Sequence, residues 1–215
     1  MSFTCADCLK KPCRAHTLDE LPAGCPTAAI TPEEVLALYS EEEKRFLHQA
    51  ALVEKAGKRG LTRVEEIMHL CHLMGYRKLG LAFCVGLSGE AATFAKILHS
   101  NGFELAAVCC KACSVPKEAI GVADCEKVRP GSFEAMCNPG FQAAYLNASG
   151  AEFTVMLGLC VGHDTVFLRH AEGPVTVLAV KDRVLAHNPL GAIYTADSYY
   201  TKLYRYIDGI TPKEN

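Results

Sequence analysis

Four cysteines near the start of the chain, Cys5, Cys8, Cys13 and Cys25, have types and spacing that suit a metal centre. A Cys-x2-Cys pair lets two sulfurs reach one ion, and four thiolates complete a closed tetrahedral or cluster site. Cys25 precedes Pro26, as the fourth cysteine of bacterial ferredoxin runs does, although the other spacings differ from that pattern. Zinc and an iron–sulfur cluster fit these donors equally, and His16 can replace one thiol. The segment around them is punctuated by Pro12, Pro22, Gly24 and Pro26 and has no apolar periodicity. Metal binding would supply the order that its composition lacks. The bland alternative is an unstructured thiol-rich tail.

A second set of reactive residues is scattered along the chain: Cys84, Cys109, Cys110, Cys113, Cys137, Cys160 and His163, with His187 further on. Their common property emerges from the elements that carry them. Leu79 to Cys84, Phe103 to Cys109, Phe153 to Leu159 and Val175 to Val180 read as short apolar strands. Helices are expected over Ser88 to Ser100, from Asn138-Pro139 to about Asn147, over His163 to His170, and from Asn188-Pro189 to about Tyr204. Strands alternating with helices imply parallel pairing and a sheet covered on both faces. Every thiol of the second set then lies at or just past the carboxyl end of a strand, or just before a capped helix. Ligands of open parallel sheets bind at that edge, and helix amino termini lower the pKa of a thiol placed there. A shared site accounts for six such cysteines better than six separate packing choices. Cys109 and Cys110 are adjacent, so at most one of them faces the site from an extended strand.

The fold expected is α/β, a three-layer sandwich with a mainly parallel sheet of about four or five strands. Residues 1–30 form the cysteine-rich segment, 31–76 a helical segment packed on the main domain, and 77–215 the α/β domain. In the helical segment Thr31 to Glu34, Ser40 to Glu43 and Thr62 to Glu65 are capping boxes. Val64, Ile67, Met68, Cys71 and Met74 follow as a buried stripe, which makes Cys71 structural.

Composition narrows the function classes. The 215 residues are 50% hydrophobic and 21% charged, with a formal net charge of −2 and 12 cysteines. That balance excludes a dedicated nucleic-acid binder and a disordered chain. No apolar run reaches the roughly 18 residues that span a bilayer, and the first ten residues lack the basic cluster and apolar stretch of a secretory signal, so none is expected. A cytoplasmic protein with reduced thiols is expected, with no membrane partner. Gly86-Leu87-Ser88-Gly89-Glu90 misses the serine nucleophile elbow by one position. Glu66 and His69 lack the second pair of a di-iron helix bundle. Asn147-Ala148-Ser149 is a glycosylation sequon without an export route. Lys181-Asp182-Arg183 reads as a solvated turn, with anion binding the lesser option.

Over nearly its whole length the chain resembles an uncharacterised, cysteine-rich family of predicted metal-binding proteins from anaerobic bacteria and archaea. The stretches that carry the resemblance are Cys5-Ala-Asp-Cys8 through Cys25-Pro26-Thr27, Phe83-Cys84-Val85-Gly86, Val108-Cys109-Cys110-Lys111, Met136-Cys137-Asn138-Pro139, Gly158 through Asp164, and Val180 through Val184. The resemblance implies metal binding and an anaerobic or microaerobic host, without naming a metal or a reaction.

Three functions are compatible with these readings. The first is a metalloprotein holding zinc or an iron–sulfur cluster on Cys5, Cys8, Cys13 and Cys25. In it Cys109, Cys110, Cys113 and Cys137 at the sheet edge form a second, redox-active centre serving a redox partner. The second is a cysteine-dependent enzyme in which Cys84 or Cys160 attacks a small molecule and His163 transfers the proton. The third is a module that carries metal or sulfur without turnover.

Overall fold

In the computed structural model, which describes residues 5–58 and 60–204, each of the three capping boxes closes on itself. Thr31, Ser40 and Thr62 accept from the backbone N–H three residues on, and the glutamate there accepts from the cap's own N–H. These bonds hold the Glu34, Glu43 and Glu65 carboxyls below the usual carboxylate range. Each box starts a helix where the sequence predicts one.

The chain divides into two compact units at residues 59 and 60, inside the expected helical segment. In the first unit, single turns over Cys5–Asp7, Leu18–Glu20 and Pro26–Ala29 flank the short helix α1 (Pro12–Ala15). Helices α2 (Pro32–Leu36) and α3 (Glu41–Gly57) follow.

The second unit opens with α4 (Arg63–Met74), whose Ile67, Cys71 and Met74 are buried. Burial pushes the Cys71 thiol up to about 12, so it behaves as a packing residue. Four strands follow: β1 (Lys78–Phe83), β2 (Glu104–Cys109), β3 (Phe153–Leu157) and β4 (Val175–Ala179). All pair in parallel, in the order β2-β1-β3-β4. All five residues of β3 are buried, as a strand covered on both faces requires.

Alternation along the strands divides the core between two layers of helices. Ala82, Val108 and Met156 share one row of the register and pack with Ala143 and Leu146 of α6 (Pro139–Ala148) and Phe167 of α7 (His163–His170). Leu81 and Val155 point the other way, where α5 (Ser88–Ser100) lies on β1 and β2 and buries Ala91, Phe94 and Leu98. The result is a three-layer α/β sandwich.

The last helix is much shorter than expected. α8 covers only Leu190–Tyr194; residues 195–200 continue as turns and 201–204 as a 3-10 stretch. The Thr195 hydroxyl donates to the Gly191 carbonyl at 2.7 Å, and Ala196 N–H bonds the carbonyl three residues back. Thr195 and Ser198 hydroxyls bond backbone carbonyls here and offer alternatives to the helix ladder, and the Asn-Pro start signal cannot overrule them.

The order of strands has a consequence at their carboxyl ends. β1 leads sideways to β2, whereas β3 and β4 extend the sheet on the other side of β1, so the winding reverses between β1 and β3. A crevice opens outside the strand ends at such a reversal. Gly158 shapes it: its φ is +66°, and a Cβ there would fall 1.8 Å from Leu87 Cδ1. Gly158→Ala is expected to destabilise the protein by roughly 1–3 kcal/mol in chemical denaturation. Leu87→Ala in the same chain should recover the steric part and leave the backbone strain.

Candidate functional site

The sheet itself carries two of the thiols. Cys84 N–H donates to the Leu157 carbonyl at 3.0 Å, and Cys110 N–H to the Phe83 carbonyl at 2.9 Å. Both bonds extend the parallel ladder one residue past the strand ends. Cys84 and Cys110 are therefore held on a rigid edge, and both are buried. Gln142 of α6 strengthens this edge. It is fully buried and donates its amide to the carbonyls of Phe83 at 3.2 Å and Val108 at 2.9 Å, bridging β1 and β2 just before the two cysteines.

A third thiol is brought to the same place by the start of α6. Asn138 caps that helix, accepting from Phe141 N–H, and its own N–H donates to the Cys110 carbonyl at 2.7 Å. This bond seats Cys137, the residue before the cap, against Cys110, and the two thiols are hydrogen-bonded to each other. Val85 N–H donates to Cys110 Sγ at 3.3 Å.

The fourth thiol arrives from β3. Cys160 follows Leu159, and its carbonyl accepts from His163 N–H at 3.0 Å and Asp164 N–H at 3.1 Å, forming the entry to α7. Arg183, past the end of β4, donates to Cys160 Sγ at 3.3 Å. Lys181 lies between: its ammonium is 3.6 Å from where a Cβ on Gly158 would sit and 3.7 Å from one on Gly86, which would also adjoin Cys84 Sγ at 3.9 Å.

Cys137, Cys160, His163 and Arg183 line one cleft of about 980 Å³. Its other wall is the irregular connection after β2. That connection folds around Lys127, whose side chain is buried and pairs with Glu118 and Asp124 while donating to the Ser132 carbonyl. A single bridge, Pro116 to Ala135, and the Lys117–Glu134 ion pair close its base. It contributes an apolar surface, including Ile120, Val128 and Phe133, which are largely exposed. It also supplies cations. Lys111, Lys117, Arg129 and Arg183 line the cleft against Glu126 and Glu134, and Glu134 is already engaged with Lys117 and the Arg129 N–H. The cleft is thus locally positive in a chain of net charge −2.

This setting polarises the thiol pair. Cys137 is pushed down to about 5 by the hydrogen bond from Cys110, with His163 and Lys111 adding positive charge. Cys110 is pushed far up by donating that bond and by burial. The two share a proton, and the cationic neighbours of Cys137 place the negative charge on it.

The residues expected at a site are thus distributed unevenly. Cys84, Cys110, Cys137, Cys160 and His163 gather at the reversal of the sheet. Cys109 is the half-buried last residue of β2 and does not line the cleft, and Cys113 is exposed on the loop beyond it. His187 is absorbed locally, its Nδ1 accepting from Asp182 N–H at 3.1 Å. In the first unit Cys5 and Cys8 share one turn, with Cys8 N–H 3.4 Å from the Cys5 carbonyl. Cys13 is exposed and Cys25 buried. Among the described residues no three His, Cys, Asp or Glu side chains stand together as a group that could hold a metal ion. Sequence reasoning passed over Lys111, Arg129 and Gln142. The signal for Lys111 was its position directly after Cys109-Cys110; nothing local marks the other two.

The pair makes a titration expectation. Cys137 is depressed in the folded chain, so its ionisation stabilises the fold fully above the ordinary thiol range near about 8.5. That contribution is lost as pH falls through about 5. Cys110 has the opposite sign and opposes stability above the ordinary thiol range. Iodoacetamide at pH 6 should therefore label Cys137 well before the exposed thiols Cys113 and Cys125, with a rate that rises through about pH 5. Peptide mapping of the alkylated chain checks this, and uniform labelling of the exposed cysteines at that pH would refute it.

Residues 25–178 match the family model described as Protein of unknown function (DUF1847). That span includes Cys25 and every thiol of the cleft, and it leaves Cys5, Cys8 and Cys13 outside. The chain is 41% identical over 199 residues to the Uncharacterized protein MJ0455 of Methanocaldococcus jannaschii, covering 92% of this chain and 96% of that protein. No solved structure matches it. On the breadth of both matches, the chain belongs to the DUF1847 family of proteins of unknown function.

Proposed function

We propose that the protein is a cysteine-dependent enzyme that uses Cys137 as a nucleophile on a small anionic electrophile bound at the strand ends. The observation that carries this reading is the placement of Cys137. It lies in a cleft with more cations than anions, against Cys110 and beside Lys111 and His163. Sequence reasoning favoured Cys84 or Cys160 for this role. Cys84 is buried behind the edge, and Cys160 faces the same cleft as a neighbour of the substrate.

Each group has a part in such a step. Lys111 and the Cys110 thiol hold Cys137 as thiolate. Arg129 and Arg183 bind the anionic group of the substrate, and Phe133 and Ile120 cover its apolar body. The thiolate forms a bond from Sγ to the electrophilic atom, and the leaving group departs with the electron pair of the broken bond. His163 is the group placed to protonate it.

A panel of small carboxylate- or phosphate-bearing thioesters, disulfides and unsaturated acids tests the reading, with turnover and protein mass both followed. The wild type should consume or be modified by at least one class, and Cys137→Ala by none. Arg183→Gln should raise KM more than it lowers kcat. Identical behaviour of wild type and Cys137→Ala toward every compound would overturn the proposal.

A bound zinc ion or iron–sulfur cluster on Cys5, Cys8, Cys13 and Cys25 is a second proposal, independent of the first. The donor chemistry supports it, as does the scarcity of local core: between residues 5 and 30 only Pro12 and Cys25 are buried. The four side chains as placed do not form a closed metal site, so no chemistry is derived from one. Metal analysis of protein purified without oxygen should give about one zinc or one cluster per chain, reduced in Cys5→Ser. Unchanged metal content in that variant would end this reading.

A further inference from the structure

The second thiol of the pair has a use that a simple nucleophilic enzyme would not need. Cys110 is buried, is bonded by Val85 N–H at its sulfur, and presents that sulfur to Cys137 alone among the cleft-lining thiols. The Asn138 N–H bond to the Cys110 carbonyl at 2.7 Å keeps the two backbones in register. One half-buried, cleft-lining sulfur and one buried sulfur, held together, are the two halves of a thiol–disulfide exchange site. The buried thiol is shielded from solution and can react only with something already attached to its neighbour.

We propose that the cleft reduces a low-molecular-weight disulfide bearing anionic groups, with Cys137 attacking and Cys110 resolving. This rests on the reading of Cys137 as the nucleophile and names its electrophile. In the first step the Cys137 thiolate bonds to one sulfur of the substrate disulfide, the substrate S–S bond breaks, and the first half leaves as a thiolate. In the second step Cys110 passes its proton to that departing half and attacks Cys137 Sγ. The mixed disulfide breaks, and the second half leaves as a thiolate. One disulfide becomes one thiol and one thiolate, and the protein dithiol loses two electrons as the Cys110–Cys137 bond forms. A dithiol reductant returns those electrons by the reverse exchange.

The substrate class follows from the walls. Arg129 and Arg183 have no carboxylate partner among the described residues, and Lys111 is directed to the Ala135 carbonyl rather than to an acid. The opposite wall exposes Phe133, Ile120 and Val128. Anionic ends on an apolar or aromatic body complement both surfaces. A cationic disulfide of similar size meets the same sulfur through an unfavourable field.

The aromatic dianion dithiobis(nitrobenzoate), at one equivalent and pH 6, is the probe, with the dication cystamine as its counterpart. Wild-type protein should release both thionitrobenzoates and gain a Cys110–Cys137 disulfide seen by peptide mapping. Cys110→Ser should release one and retain the other on Cys137. Relative to a small uncharged thiol under the same conditions, the protein should favour the dianion over the dication by about a further tenfold or more at low salt, an excess that Arg183→Gln narrows. If wild type stops at one release with the adduct on Cys137, the nucleophile stands and the redox inference falls. A dianion-to-dication ratio no larger than that of the free thiol overturns the substrate class. If neither probe modifies Cys137, both proposals fail together. Mapping the wild type alone decides the resolving step even if Cys110→Ser does not fold.

Discussion

Parallel pairing is the constraint from which the site follows. Every strand of this sheet must finish at the same edge, so residues far apart in sequence are delivered to one line without any long-range contact of their own. The reversal between β1 and β3 then decides which part of the line stays open, because helices leave the edge toward opposite layers there. Backbone bonds beyond the strand ends, from Cys84 to Leu157 and from Cys110 to Phe83, make the thiols part of the scaffold. Rigidity at this position suits chemistry that depends on two sulfurs keeping their separation.

Charge is organised on a smaller scale than composition reveals. The chain is slightly acidic, yet the cleft concentrates lysine and arginine, and its glutamates are spent on internal bonds within the loop. A thiolate surrounded in this way is stabilised by Lys111 at its side and by the wider positive field. The Cys110 thiol contributes by donating a hydrogen bond, which makes it a poorer acid and its neighbour a better one.

Much of the framework could be read from local signals. Capping boxes at Thr31, Ser40 and Thr62, the cap at Asn138-Pro139, and strands such as Phe153 to Leu157 are short-range patterns, and their elements formed close to the expected residues. The gathering of Cys84, Cys110, Cys137 and Cys160 was also foreseeable, because strand ends in a parallel sheet have nowhere else to go. What local patterns could not supply was pairing. That Cys137 meets Cys110 depends on one bond from Asn138 to a carbonyl on another strand. That Gln142 clamps two strands depends on helix placement. The end of the last helix differs for another reason: hydroxyl side chains after Tyr194 compete for the backbone, and a start signal carries no information about where a helix stops. Among the amino-terminal cysteines, spacing alone implied convergence, and the side chains as placed do not converge.

The loop that walls the cleft is held by its own ion pairs around Lys127. On the proposed reading, the surface that would select a ligand is thus built apart from the thiols that would react with it. Replacement of Phe133, Ile120 or Arg129 would redraw the outline of the binding cavity while the sulfurs, anchored on strand ends and a helix cap, kept their places. If the proposed chemistry holds, an arrangement of this kind would let one scaffold diversify, keeping its thiols in place while the loop that outlines the cavity changes at little cost to the fold.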